Sequence, residues 1–239
     1  MNDIQAADLA NAVTAFATIL SGVLALLLTS LTGRQPWRWL AVYIGIVITG
    51  IATVWYHGYG ETFEAGLADG GTNLLLAWLL QVAILWDYFP QKVRWSVSCI
   101  SGLLNAVAIA WRAIYGPGFA HFYIISFGSF CGFHPMEIML ILDSLLVVGL
   151  LFASLRKVPV KARPLLYLLT AFFLVGALLA SASNQRVDYH IYCYHALWHV
   201  IGAFGFVVLW AFNNARLGQA SAGNICAGKP SRRNSRLSA

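Results

Sequence analysis

Long runs of apolar residues alternate along this chain with short polar breaks. A bilayer core about 30 Å thick takes roughly 20 apolar residues of helix. Seven stretches meet that length, at approximately 8–31, 38–57, 70–89, 94–114, 134–155, 164–183 and 190–212. Gly33-Arg34-Gln35-Pro36, Pro90-Gln91-Lys92 and Lys161-Ala162-Arg163-Pro164 mark three of the breaks, where Gly or Pro interrupts the helix and charge returns to water. The pattern predicts an all-α, seven-transmembrane helix bundle over 1–212, followed over 213–239 by a polar, basic, small-residue-rich tail expected to be disordered. The segment 115–133, with Gly116-Pro117-Gly118 and many aromatics, reads as an interfacial loop, a re-entrant segment or an eighth span. No basic region precedes the first span, where Asp3 and Asp8 stand instead, so no cleaved signal peptide is expected.

Composition narrows the class. Of 239 residues, 59% are hydrophobic and 10% charged, with a mean hydropathy of +0.71. A soluble domain carries about 25% charged residues, so the apolar excess must face lipid. That excludes a cytosolic enzyme, a disordered chain and a disulfide-stapled secreted module. Cys99, Cys131, Cys193 and Cys226 show no metal-ribbon spacing and read as structural. The net charge of +6 forms no basic patch interleaved with aromatics, so no nucleic-acid partner is expected. It sets orientation instead. With seven spans, 13 of the 15 Lys and Arg residues fall on one side, from Arg34 and Arg38 through Lys92, Arg94 and the Arg156–Arg163 loop to the tail. The positive-inside rule then places the C-terminus in the cytoplasm and the N-terminus outside. A multi-pass protein of this kind belongs in the plasma (inner) membrane of a bacterium or the ER/Golgi membrane of a eukaryote.

Against this background the ionisable residues within spans are functional candidates. His57 ends the second span, Asp69 opens the third, and His195 and His199 lie early in the seventh. With alternating span directions, all four fall at similar depth on the outer side. His195 and His199, four apart, share a helical face and can reach one metal. His57 would complete a three-histidine site with a fourth position open for water, the usual arrangement of catalytic Zn2+. Thr53 shares the face of His57 one turn away, which suits an oxyanion donor, and Asp69 suits a proton shuttle or orienting base. Plainer roles exist for each. His57 fits an aromatic belt beside Trp55 and Tyr56, Asp69 fits a helix N-cap, and an HxxxH pair also serves proton paths, haem or interhelical hydrogen bonds.

The order Thr53-x-x-x-His57, Asp69, His195-x-x-x-His199 across seven spans resembles the CREST superfamily of integral-membrane hydrolases. That superfamily includes alkaline ceramidases, the progestin and adiponectin receptor family and GPI-anchor lipid-remodelling proteins. The chain is most similar to the alkaline ceramidases. His195-Ala196-Leu197-Trp198-His199-Val200-Ile201-Gly202-Ala203-Phe204-Gly205 looks like their seventh-helix signature, and Ala7-Asp8-Leu9-Ala10-Asn11-Ala12-Val13-Thr14 like a weakened first-helix entry. The expected topology matches that branch and is the reverse of the receptor branch. The resemblance implies a zinc-dependent intramembrane amidohydrolase with His57, His195 and His199 as metal ligands and Thr53 and Asp69 as catalytic residues. Its substrate would be a ceramide-like lipid, cleaved at the N-acyl bond to a fatty acid and a sphingoid base. Three departures stand out. Thr53 replaces the family's serine; Asp69 follows His57 by twelve residues, about one more than in ceramidases; and of the calcium-binding acidic cluster only Asp3, Asp8 and Asn11 could stand in. A calcium site is not expected. The alternatives are an ester-cleaving lipid hydrolase of the same superfamily and a non-enzymatic seven-span receptor or transport protein with structural zinc or a proton relay. A bis-histidine haem protein is more distant.

Glu137 and Asp143 lie six apart on roughly opposite faces of the fifth span. Glu137 follows Pro135 and fits the first helical turn. Asp143 is deeper and needs a partner, with Asn105 or Arg112 as candidates and a structural role as the plainer reading. His121, His134 and His190 read equally as interfacial or functional. Gly45 and Gly50 form no GxxxG pair, so no dimer face is expected.

Overall fold

In lipid a backbone N–H or C=O finds no partner but its own chain, which makes a long apolar stretch helical. The computed structural model describes residues 3–33, 35–59, 62–115, 135–185 and 194–227. These form α1 (Asp3–Thr32), α2 (Trp37–Gly58), α3 (Phe63–Tyr88), α4 (Gln91–Tyr115), α5 (Pro135–Ser154), α6 (Arg163–Gln185) and α7 (Tyr194–Ala227), with two short 3₁₀ turns between α5 and α6. All seven helices are long and apolar enough to cross a membrane. Most of the segment 115–133 and His121, His134 and His190 lie outside the described residues.

Two boundaries differ from the sequence reading. α3 begins at Phe63 rather than 70, because Thr62 caps it: the Thr62 hydroxyl accepts from the Ala65 N–H at 3.2 Å, and Glu64 occupies the first turn. Asp69 is therefore two turns inside α3 and is not an N-cap. α7 does not give way to a disordered tail at Asn213 but continues to Ala227. The polar residues just beyond Phe212 find buried partners, with Asn213 fully buried and Arg216 6% exposed. Residues 228–239 lie outside the description. Glu137 is in the first turn of α5, as its position after Pro135 implies.

α1 packs along α2 and α7, α2 along α3, α3 against α4 and α5, and α6 on α7. The apolar core runs through Trp39, Tyr43, Ile46, Ile84, Leu85, Leu151, Leu169 and Phe212. Leu20, Leu31, Leu103, Leu145 and Leu178 point outward, as lipid-facing positions do. The α1–α2 contact depends on two glycines. A Cβ on Gly50 would lie 2.8 Å from the Ile19 backbone N, and one on Gly22 would lie 3.0 Å from that of Val47. Backbone meets backbone at both points, so α2 can place its last turn directly against α1.

At the bundle end where α2 begins and α3 finishes, a charged network joins three helices. Asp87 accepts from Arg38 Nε at 2.6 Å and from Trp39 Nε1 at 2.9 Å, and it also pairs with Arg216 of α7. Arg216 donates from Nε to Asn213 Oδ1 at 2.9 Å and lies over the rings of Trp39, Tyr88 and Phe212. Asn213 Nδ2 donates to the Tyr43 hydroxyl at 3.1 Å, which donates to Gln35 Oε1 at 2.6 Å. Hydropathy alone does not single out Asp87, because it sits at the edge of its span beside the aromatic Tyr88.

Candidate metal centre

The opposite end of the bundle carries the histidines. α2 delivers His57 from its last turn, and α7 delivers His195 and His199 from its first two. Their ring centroids are 4.9 Å (His57–His195), 4.7 Å (His195–His199) and 5.6 Å (His57–His199) apart. One nitrogen from each ring lies within 4.8 Å of the other two, and among the described residues this is the one cluster of three His, Cys, Asp or Glu side chains close enough to share a metal ion. His57 and His199 are buried, at 6% and 7% exposure. Trp198 stacks edge-on against His195 at 5.1 Å and helps to wall off that ring.

His57 Nε2 and His195 Nε2 face each other at 3.1 Å. Two lone pairs at that separation repel unless a proton or a cation lies between them. A tetrahedral zinc with Zn–N bonds of about 2.0–2.1 Å separates its nitrogens by about 3.3 Å, so this pair already stands near ligand spacing. The third nitrogen lies within 4.8 Å of both.

α1 sets the third ring. His199 Nδ1 lies 3.2 Å from the Asn11 carbonyl oxygen and 3.2 Å from Thr14 Oγ1. A carbonyl only accepts, so Nδ1 carries the proton and Nε2 keeps its lone pair for a metal. The oxygen that orients a ligating imidazole through its second nitrogen tunes both tautomer and basicity. In the sequence Asn11 stands as a calcium stand-in and, with Thr14, in the weakened first-helix entry, with no role toward the histidines. The signal for both was the three-residue spacing that puts them on one face of α1, but which helix they would meet was not legible.

Thr53 and Asp69 complete the arrangement. Thr53, one turn from His57 on α2, has its hydroxyl 2.5 Å from Asp69 Oδ1 and 2.9 Å from the Thr49 carbonyl. Its single proton goes to the nearer acceptor, so the hydroxyl is committed to Asp69 in this arrangement. Asn73 Nδ2 donates to the Asp69 carbonyl at 2.9 Å, and Thr72 Oγ1 donates to the same oxygen at 3.0 Å. Thr49 Oγ1 in turn donates to the Thr72 carbonyl at 3.1 Å, tying α2 to α3 beneath the site. Asp69 is within electrostatic reach of His57. Asn73 Nδ2 also lies 3.4 Å from Asp69 Oδ1, so the carboxylate is held from its own helix as well as from Thr53.

All five residues singled out from the sequence meet at one end of the bundle, on α2, α3 and α7. Asp8 and Asn11 lie on α1 close to this end, and the side chain of Asp3 lies outside the described residues. No protein-family model matches the chain, and no curated protein matches it.

Proposed function

We propose that the chain is a zinc-dependent intramembrane amidohydrolase that cleaves the N-acyl bond of ceramide or a related lipid. The observation carrying this reading is the meeting of three imidazole nitrogens within 4.8 Å of one another, with the Thr53–Asp69 pair one helical turn away. Three histidines leave one position of a tetrahedral ion open, a donor set that suits hydrolysis better than a closed structural site. Zinc bound there would supply Lewis acidity and a source of hydroxide at neutral pH.

The chain's own residues do the rest. Asp69 accepts a proton from the attacking water and returns it to the leaving nitrogen, so water and an amide become a carboxylic acid and an amine. Once Asp69 is protonated it no longer holds the Thr53 hydroxyl, which is then free to donate to the oxyanion developing on the carbonyl. Burial of His57 and His199 keeps bulk water away and strengthens both interactions. An acyl chain would reach the site sideways from the bilayer, between neighbouring helices. The distribution of Lys and Arg supports an orientation with the histidine end outside and the C-terminus in the cytoplasm.

The experiment is elemental analysis of purified protein combined with a lipid panel containing ceramide and phospholipid. Stoichiometric zinc and ceramide hydrolysis, both lost in His199→Ala, are expected. A zinc-free active protein, or full hydrolysis by His199→Ala, refutes the proposal. Cleavage of phospholipid esters alone assigns the ester-cleaving alternative. Zinc without turnover, but with ligand-dependent thermal stabilisation, assigns a receptor or transport protein.

A further inference from the structure

A second buried polar group lies away from the histidines, between α3, α4 and α5. Asp143, near the middle of α5, is 1% exposed. Gln81 Nε2 of α3 donates to its Oδ1 at 2.7 Å, and Asn105 Nδ2 of α4 donates to its Oδ2 at 2.6 Å. The expected Asn105 contact is present, but Arg112 lies over the Phe63 ring instead. Among the described residues no Lys, Arg or His pairs with Asp143, in contrast to Asp87, which has Arg38 and Arg216. The same three helices bury Leu74, Ala108 and Met136 in one apolar cluster and Leu80, Ile84, Val147 and Leu151 in another. A lone carboxylate at this depth is costly, and amides bring hydrogen bonds but no compensating charge.

The atoms around it show an imbalance. Gln81 Oε1, Asn105 Oδ1 and Ser101 Oγ are buried with no hydrogen-bond partner, and Ser101 lies one turn from Asn105 on the same face of α4. Each amide oxygen shares a carbon with the nitrogen that touches Asp143, so a half-turn of the terminal amide exchanges the two, bringing the oxygen to the carboxylate and turning the N–H pair away. A proton on Asp143 would satisfy one of the three stranded oxygens. A bare cation held by the carboxylate and the turned amide oxygens would cancel the charge itself, and Ser101, one turn from Asn105 on the same face of α4, offers a further oxygen. One negative charge calls for one positive charge, and an all-oxygen donor set selects a hard ion over a transition metal.

We propose that Asp143, Gln81, Asn105 and Ser101 form an internal site for a dehydrated sodium ion that neutralises Asp143 within the membrane. The site is independent of the histidine centre. Asp69 and Gln81 are twelve residues apart on α3, about 18 Å along the helix, and nothing in the proposal requires hydrolysis.

The test is thermal unfolding of the purified full-length protein in lipid nanodiscs, exchanging choline chloride for sodium chloride at constant ionic strength and constant zinc. Sodium at tenfold its dissociation constant raises the folded-to-unfolded ratio about elevenfold, for a rise in Tm of about 3–5 °C that saturates. Asp143→Asn keeps the shape and removes the charge, and its Tm should not respond to sodium. Ser101→Ala removes one donor with little change in packing and should need several-fold more sodium for the same shift. A wild-type Tm that is the same in sodium and choline overturns the proposal without reference to any variant. An undiminished sodium response in Asp143→Asn overturns it as well.

Discussion

Asp87→Ala removes the carboxylate that joins α2, α3 and α7 at the end opposite the histidines, and its cost can be worked out contact by contact. The side chains of Asp87 and Arg216 are 3% and 5% exposed, whereas that of Arg38 is 22% exposed. Deleting one partner of a buried pair leaves the other charge stranded, at about 3–5 kcal/mol. The Arg38 pair is wetter and adds about 0.5 kcal/mol. The Trp39 indole N–H, which donates to Asp87 Oδ2, loses its acceptor for about 1 kcal/mol more. The sum is about 4.5–6.5 kcal/mol, and at about 2–4 °C per kcal/mol for a chain of this length the Tm should fall by roughly 9–26 °C. Thermal unfolding in detergent or nanodiscs, followed by circular dichroism, measures it. Arg38→Ala should cost about 1 kcal/mol or less, and Arg216→Ala several times that. Asp87→Asn, which keeps an acceptor for Trp39, should fall between wild type and Asp87→Ala. A fall below about 3 °C for Asp87→Ala, or equal losses for Arg38→Ala and Arg216→Ala, would show that the network does not hold these helices together.

Thr14→Val leaves His199 Nδ1 with the Asn11 carbonyl alone, so zinc affinity should drop about tenfold in chelator competition while the helices stay folded; an unchanged affinity would remove Thr14 from the site. Gly50→Ala drives a methyl into the α1 backbone and should cost about 1–3 kcal/mol, with weaker zinc binding because α1 carries Asn11 and Thr14. Gly149→Ala, where nothing lies within 4 Å of the added carbon, serves as the tolerated control. Stripping zinc should lower the Tm by an amount that grows with the zinc concentration of the reference sample, about 4 kcal/mol at a thousandfold excess over Kd, and His199→Ala should abolish that dependence.

The length and hydropathy of its apolar stretches by themselves determined that this chain forms seven membrane-length helices, since lipid offers the backbone no other partner. The 3.6-residue repeat likewise determined that His195 and His199 share a face, as do Thr53 and His57. Where a strong local cap competed with hydropathy, as Thr62 did, the helix boundary moved and placed Asp69 inside α3 rather than at its start. Where polar residues had partners elsewhere in the bundle, as Asn213 and Arg216 did, the helix ran on past the apolar stretch. Partnership itself was decided only by the tertiary structure. Asp143 took Gln81 and Asn105 but not Arg112, Asp87 gathered two arginines, and α1 supplied the carbonyl and hydroxyl facing His199. The period of a helix says which residues share a face. Which neighbour that face meets depends on the order, rotation and depth of all seven helices, and here the close α1–α2 approach at Gly22 and Gly50 is part of what brings them into register.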